Sequence, residues 1–375
     1  MKLFFVLNYF ALFILILQLG AIRPHIVPPT FSYGLVGEKS ILDRPVPSQV
    51  REPARFVFAS AKPEAVVFVG DILLARNVEY LMEQQGSAYP FSGLSLSSLA
   101  HEPYIVGNFE AAVPDEHQQT APLQIRFSVA ESYISSLRDA HFTHLSLANN
   151  HSYDYGARGY LSTVHALQAV DVTTFGHPTK LLQESVSFLD LEKDRIALIS
   201  LHTLEKQPTD ADLKELFSYA ASESTFQVVY VHWGEEYNDT NSKAQRMLAE
   251  RLVAVGADLI IGHHPHVVQN VDLIDGVPIF YSLGNYIFDQ YFATDVQIGL
   301  VVQLAFDDVP RLHVLPVTSI ESLSQPRLMS AADHATFLEV LADRSHDDLR
   351  EFLIRGEIPL DIPVASSPKM AMMSK

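Results

Sequence analysis

The hydrophobic pattern divides the chain into four stretches. Residues 3–22 carry no charge, and only Asn8, Gln18 and Gly20 interrupt an apolar run that shows no polar face. A core helix normally has such a face, whereas a run of this length matches the ~30 Å of hydrocarbon that a membrane helix crosses. Leu19-Gly20-Ala21-Ile22 is a poor cleavage site, so the run is expected to stay as a transmembrane anchor rather than be removed as an export signal. Lys2 precedes it and Arg23 follows it, a slight bias that leaves the N-terminus cytoplasmic and the remainder outside. Pro24, Pro28, Pro29, Pro45, Pro47, Pro53 and Pro63 keep residues 23–63 from regular helix or central strand and predict a tether that then wraps the domain.

From residue 64 the text changes. Short β-branched runs at 65–69, 143–147, 196–200, 226–231 and 259–261 are separated by helical stretches such as 157–169 and 243–255. That alternation predicts an α/β domain over residues 64–320. The later strands, at 278–282, 298–305 and 311–317, come without long helices between them and predict a more antiparallel second half. Residues 321–375 read as C-terminal helices, one or two of them amphipathic within 331–355, followed by a tail.

Composition narrows the chemistry. The balance of 26 Lys+Arg against 44 Asp+Glu gives a net charge of −18, which argues against nucleic acid as partner, because affinity for its backbone rests on clustered cations. There is no cysteine, which excludes disulfides, thiolate metal sites and cysteine nucleophiles. Any metal ion must be held by His, Asp, Glu or Asn, and the chain has 16 His.

Those ligand types gather where apolar runs end. Val66–Val69 leads into Gly70-Asp71, Tyr104–Val106 into Gly107-Asn108-Phe109-Glu110, and Leu145–Leu147 into Asn149-Asn150-His151 with Asp154 beyond. Val228–Val231 leads into His232, and Leu259–Ile261 into Gly262-His263-His264-Pro265-His266. Singly, several have plain readings: Gly70-Asp71 as a turn with a helix cap, Asn149-Asn150-His151 as a cap, His232 as a satisfied core histidine. Three imidazoles within four residues at a strand end have few structural uses and suit Zn, Mn or Fe. In open α/β sheets the ligand lies beyond the carboxyl ends of the strands, so the clusters should converge. Asp71, Glu110, Asn150, His232, His264 and His266 then supply six donors, enough for one or two divalent transition metals. His263 is the alternative to His264, since alternate residues of an extended segment face opposite ways.

These motifs, taken with Ile72-Leu73-Leu74-Ala75-Arg76 after Asp71, His232-Trp233-Gly234-Glu235-Glu236-Tyr237 and Leu283-Gly284-Asn285-Tyr286-Ile287-Phe288-Asp289, resemble in order and content the capsule-synthesis CapA/PgsA family of poly-γ-glutamate proteins. The resemblance runs from about residue 65 to residue 317. It implies a calcineurin-like metallophosphoesterase fold, a β-sandwich flanked by helices, and a place at the membrane beside a poly-γ-glutamate synthase complex. Asn150-His151 with Asp154 is similar to the Asn-His-Glu-x-Asp stretch of 5′-nucleotidases, which implies His151 as the catalytic imidazole and Asp154 as the residue that orients it. Two departures stand out: the Asp-x-His of phosphoesterases is Asp71-Ile72-Leu73 here, and the bridging Asp position is Glu110.

Two functions follow as expectations. One is a metal-dependent hydrolase or transferase of the cell membrane's outer side, acting on an anionic γ-glutamyl polymer or a phosphorylated envelope intermediate. The other is a non-catalytic polymer-binding or export subunit. A chain of net charge −18 repels polyglutamate, so either requires local positive charge from metals, Arg76 or Arg126. Arg76, Asn108, Asn149, His263 and Asn285 are expected to meet the substrate.

Overall fold

The computed structural model describes residues 63–181, 183–306 and 309–361. The anchor expected at 1–22 and nearly all of the tether expected at 23–63 lie outside them. Among the described residues no helix is long and apolar enough to cross a membrane.

The chain builds one sheet, then a second, then returns to the first. Strands β1 (Ala65–Ile72), β2 (Tyr104–Phe109), β3 (His144–Ser146) and β4 (Thr173–Phe175) lie side by side in parallel. The second sheet follows with β5 (Val186–Asp190), β6 (Arg195–His202), β7 (Phe226–His232), β8 (Leu259–His263), β9 (Val271–Ile274) and β10 (Val277–Phe280), in the order β5-β6-β7-β8-β10-β9. The first sheet is completed by β11 (Asn285–Ile287), β12 (Ile298–Ala305), β13 (Arg311–Thr318), β14 (Arg327–Leu328) and β15 (Glu357–Pro359).

Side chains alternate across each strand, and the alternation assigns the layers. Val66 and Phe68 of β1, with Val302 and Leu304 of β12, pack against Leu198, Val228, Tyr230 and Ile261 of the second sheet in one shared apolar cluster. Val67 and Val69 point the other way, towards Val78 and Met82 of the helix Asn77–Gln85 and Ala166 and Leu167 of the helix Gly156–Gln168. On the far face of the second sheet, Ile199, Val229 and Val231 meet the helices Asp210–Glu223 and Lys243–Val255. The result is a two-sheet sandwich flanked by helices. The antiparallel character expected of the later strands holds for β12 and β13, but β10 pairs in parallel with β8 and is antiparallel only to β9. The turn Asp275-Gly276 folds β10 back between β9 and β8, which no local pattern announces.

The C-terminal helices Ala331–Asp343 and Arg350–Arg355 send Leu338, Leu341 and Leu353 into the central cluster, joined by Leu349 from the short turn of helix between them, and β15 pairs with β13. At the other end of the sandwich, Gly70 closes the gap between β1 and the 283–285 turn. A Cβ there would lie 1.9 Å from the Gly284 carbonyl oxygen, so only glycine lets the backbone deliver Asp71.

If the C-terminal helices are part of this core, Leu341→Ala should destabilise the protein by about 2–5 kcal/mol, as expected for a large-to-small change at a fully buried site. Urea unfolding of the variant measures it. A shift within error of zero would make those helices an appendage.

Candidate metal centre

Five parallel strand ends open onto one place. Asp71 ends β1, Asn108 lies in β2 and Glu110 follows it, Asn149, Asn150 and His151 follow β3, His232 ends β7, and His263 ends β8 with His264 and His266 just beyond. Ligand atoms of Glu110, His264 and His266 lie within 4.8 Å of one another, as do those of Asp71, Glu110 and His232. Asn150 joins the second group, its Oδ1 being 2.8 Å from His232 Nε2. The two groups share Glu110, which therefore holds the bridging place.

Whether the residues fit metal ions is tested by Glu110. Its carboxyl is fully buried and neither oxygen has a hydrogen-bond partner. Oε1 lies 3.7, 3.9 and 3.9 Å from the Nε2 atoms of His266, His232 and His151. Burial pushes the carboxyl well above its ordinary value, and the negative charges of Asp71 and Glu236 add to this against the pull of His266. A buried, unpaired carboxylate is too costly to keep without compensation. Divalent cations on either side would supply it. Two of the imidazoles are in the neutral form such ions need: burial, then the neighbouring histidines, lowers His232 well below its usual value, and burial with His266 lowers His264 to about 3. Burial would also lower His266, but the carboxylates of Glu110 and Asp71 outweigh it and raise that ring to about 9. For Asp71, contacts with His266, His263 and Asn108 overcome burial and hold the carboxyl below its ordinary value.

The turn that carries the histidines is strained. His264 and His266 have φ of 97° and 58°, positions that favour glycine. The backbone N–H of His264 donates to Asp71 Oδ2 at 3.2 Å, so the unusual turn ties β8 to β1. Strain held by surrounding contacts is typical of functional sites.

Around the ligands lies a second set of residues. Asn108 Nδ2 donates to Asp71 Oδ1 at 2.8 Å, and its Oδ1 accepts from Asn149 Nδ2 at 3.0 Å. Asn149 Oδ1 in turn accepts from the backbone N–H groups of His151 and Ser152. Asn285 Oδ1 is 2.9 Å from His266 Nδ1, which leaves Nε2 of that ring facing Glu110. In the structure the amides of Asn108, Asn149 and Asn285, expected to meet the substrate, bond to Asp71, to one another and to His266 and so orient the candidate ligands, a role often as important as ligation itself. His263 is not in either candidate ligand group. Its ring is buried 4.1 Å from that of Tyr230, and Nε2 lies 3.2 Å from the Val69 carbonyl. Arg76 is committed as well. It pairs with Asp289, and its guanidinium lies over the rings of Phe127, at 4.5 Å, and Phe288.

His151 stands at the edge of the centre. Its Nδ1 is 3.0 Å from Asp154 Oδ2, while Nε2 faces Glu110. The Phe127 ring lies against the imidazole, with centroids 4.0 Å apart, and the Phe127 N–H donates to the same Asp154 oxygen at 2.6 Å. Phe127 and Asp289 were not singled out from the sequence. Asp289 sits in a quoted motif and was within reach, but an aromatic in an irregular segment carries no periodic signal.

Comparison with known proteins matches residues 65–290 to the family described as bacterial capsule synthesis protein PGA_cap. The PGA biosynthesis protein CapA of Bacillus subtilis (strain 168) is 30% identical over 296 residues, covering 74% of this chain and 78% of that protein. The chain belongs to the bacterial capsule synthesis protein family. A second family relative, the capsule biosynthesis protein CapA of Bacillus anthracis, is 30% identical over 302 residues, covering 75% of this chain and 73% of its own length. Among solved structures, a putative 5′-nucleotidase from Staphylococcus aureus aligns with a TM-score of 0.44 and 13% identity, covering 78% of this chain and 57% of that one. The family assignment rests on the sequence relatives, and the description of the fold on the chain's own two sheets.

Reconstitution of metal-depleted protein with Mn, Zn or Fe is expected to yield one or two ions per chain and to raise the melting temperature, because the ions bind only the folded state. Glu110→Ala should lose both effects together. Elemental analysis with calorimetry checks this, and sub-stoichiometric metal in the wild type would refute it.

Proposed function

We propose that the chain is a membrane-anchored, extracytoplasmic protein of poly-γ-glutamate capsule synthesis or export, acting as a metal-dependent hydrolase or transferase on a γ-glutamyl polymer or a phosphorylated envelope intermediate. Family membership and the name of the Bacillus subtilis relative support the pathway. The uncharged run at 3–22 supports the anchor. The observation that carries catalysis is the His151–Asp154 pair, 3.0 Å apart with the free ring nitrogen turned to Glu110. Mere polymer binding has no need of an oriented imidazole.

Ions held by Asp71, Glu110, Asn150, His232, His264 and His266 would supply Lewis-acid polarisation of a carbonyl or phosphoryl oxygen. The chain's own residues do the rest. Asp154 accepts a hydrogen bond from the Nδ1–H of His151 and so fixes which nitrogen faces the substrate. From there Nε2 is placed to take the proton of the incoming water or hydroxyl as its oxygen attacks the carbon or phosphorus, and to return that proton to the leaving atom as its bond breaks. Phe127 covers one face of the ring and limits its rotation.

A second reading, a non-catalytic polymer-binding or export subunit, is favoured by one observation. Leu73, at the phosphoesterase Asp-x-His position, is fully buried in the apolar layer, so one expected ligand is missing.

His151→Ala should leave fold and metal content intact and lower turnover by something like 10²–10⁴-fold. Asp154→Asn should cost less, because it disturbs the imidazole without removing it. Assays on γ-glutamyl polymer and phosphoester substrates, with complementation of a deletion strain, decide between the readings. Full complementation by His151→Ala alongside failure of Asp71→Ala would make the centre a binding surface. For the anchor, protease added to intact spheroplasts should remove the domain while a cytosolic control survives. A protected domain would reverse the topology.

A further inference from the structure

A second line of buried polar groups runs outside the ligand cluster. Glu79, on the helix Asn77–Gln85, is 2% exposed, and its Oε1 lies 2.7 Å from His117 Nε2. The other ring nitrogen of His117 is 2.8 Å from the Ser128 hydroxyl. Carboxylate, imidazole and hydroxyl thus stand in a row. Ser128 is fully buried, so no substrate atom reaches that hydroxyl, and the row does not act as a nucleophilic triad.

Its reach is through the backbone. Ser128 follows Phe127, whose N–H holds Asp154 Oδ2 and whose ring lies on His151. Thr120 Oγ1 accepts from the Ser128 N–H at 3.0 Å and donates to the Arg126 carbonyl, and the Val129 N–H donates to the Ala112 carbonyl at 2.9 Å, two residues beyond Glu110. The same helix contributes at its start, where Arg76 lies over Phe127. Segment 126–129 is therefore pinned from both sides just where it touches the His151–Asp154 pair.

We infer that Glu79 and His117 are positioning residues for that pair: by fixing Ser128 they fix, through Phe127, how Asp154 holds the His151 imidazole. The inference rests on the catalytic reading of His151. Simple packing does not account for the row, because an apolar trio of similar volume would hold the segment without the cost of burying a carboxylate whose Oε2 has no partner. What a polar row adds is a single geometry, since the Glu79–His117 and His117–Ser128 contacts both form in only one arrangement.

The test is the downfield proton resonance of the His151 Nδ1–H, assigned by its loss in His151→Ala, read together with turnover in metal-loaded protein. His117→Ala and Ser128→Ala should shift or broaden this resonance and lower kcat by roughly 10-fold with KM unchanged. Glu79→Gln, which keeps a hydrogen-bonding group of the same shape, should retain more of both than Glu79→Ala. Should His117→Ala fail to fold, Ser128→Ala, which removes one oxygen, carries the test alone. A wild-type resonance and wild-type kcat in folded Ser128→Ala would overturn the inference and leave the proposed function standing. A resonance that moves as expected in a protein whose turnover is indifferent to His151→Ala would support the positioning and overturn the catalytic reading instead.

Discussion

The buried carboxyl of Glu110 is the constraint on which the rest of the centre depends. It is enclosed by three imidazoles at 3.7–3.9 Å, too far for hydrogen bonds and close enough for a cation between them. Among the described residues neither of its oxygens has a hydrogen-bond partner, whereas the surrounding amides and backbone N–H groups are committed to Asp71, His232 and His266. The fold thus buries a carboxyl that has no hydrogen-bond partner and turns three imidazoles towards it. A divalent ion held there would complete the arrangement, and binding it would become part of folding.

The sandwich delivers this arrangement because both sheets present parallel strand ends at one edge. β1, β2 and β3 bring the carboxylates and asparagines, while β7 and β8 bring the histidines from the other sheet. The two sets meet only because the sheets share one apolar cluster beneath them, with Tyr230 of β7 reaching across to donate its hydroxyl to the Val69 carbonyl at 2.8 Å. Gly70 and the strained His264 turn are the local concessions that this meeting requires.

Much of this was legible in the sequence, for a physical reason. Parallel buried strands read as continuous apolar runs, and a polar residue ending such a run has to be accounted for. Asp71, Glu110, Asn150, His232, His264 and His266 stand out in that way, and the structure brings them together. What a sequence does not carry is the direction of a side chain. His263 and His264 are neighbours with the same chemistry, yet one turns into the core against Tyr230 and the other towards Asp71 and Glu110, because the backbone at His264 is left-handed. Asn108, Asn149 and Asn285 look in sequence like substrate contacts. Only their amide partners reveal that they orient ligands. The missed hairpin β9–β10 and the unannounced Phe127 are of the same kind, since their places are set by long-range contacts.

Those internal commitments bear on how an anionic polymer would be recognised under the proposed function. Arg76 cannot serve as a free cation, because Asp289 neutralises it and two aromatic rings enclose it. Arg126 differs. Its guanidinium lies 4.0 Å over the Tyr155 ring and its Nε donates to the Asp154 carbonyl at 2.7 Å, an anchorage that spends no carboxylate. It stands at a cleft of about 420 Å³ shared with Arg158, whose charge Asp115 takes up. With a net charge of −18 over the whole chain, attraction for a polyanion has to be local. It falls to bound cations at Glu110 and to Arg126 beside His151, so recognition and chemistry would be confined to the same rim of the sandwich.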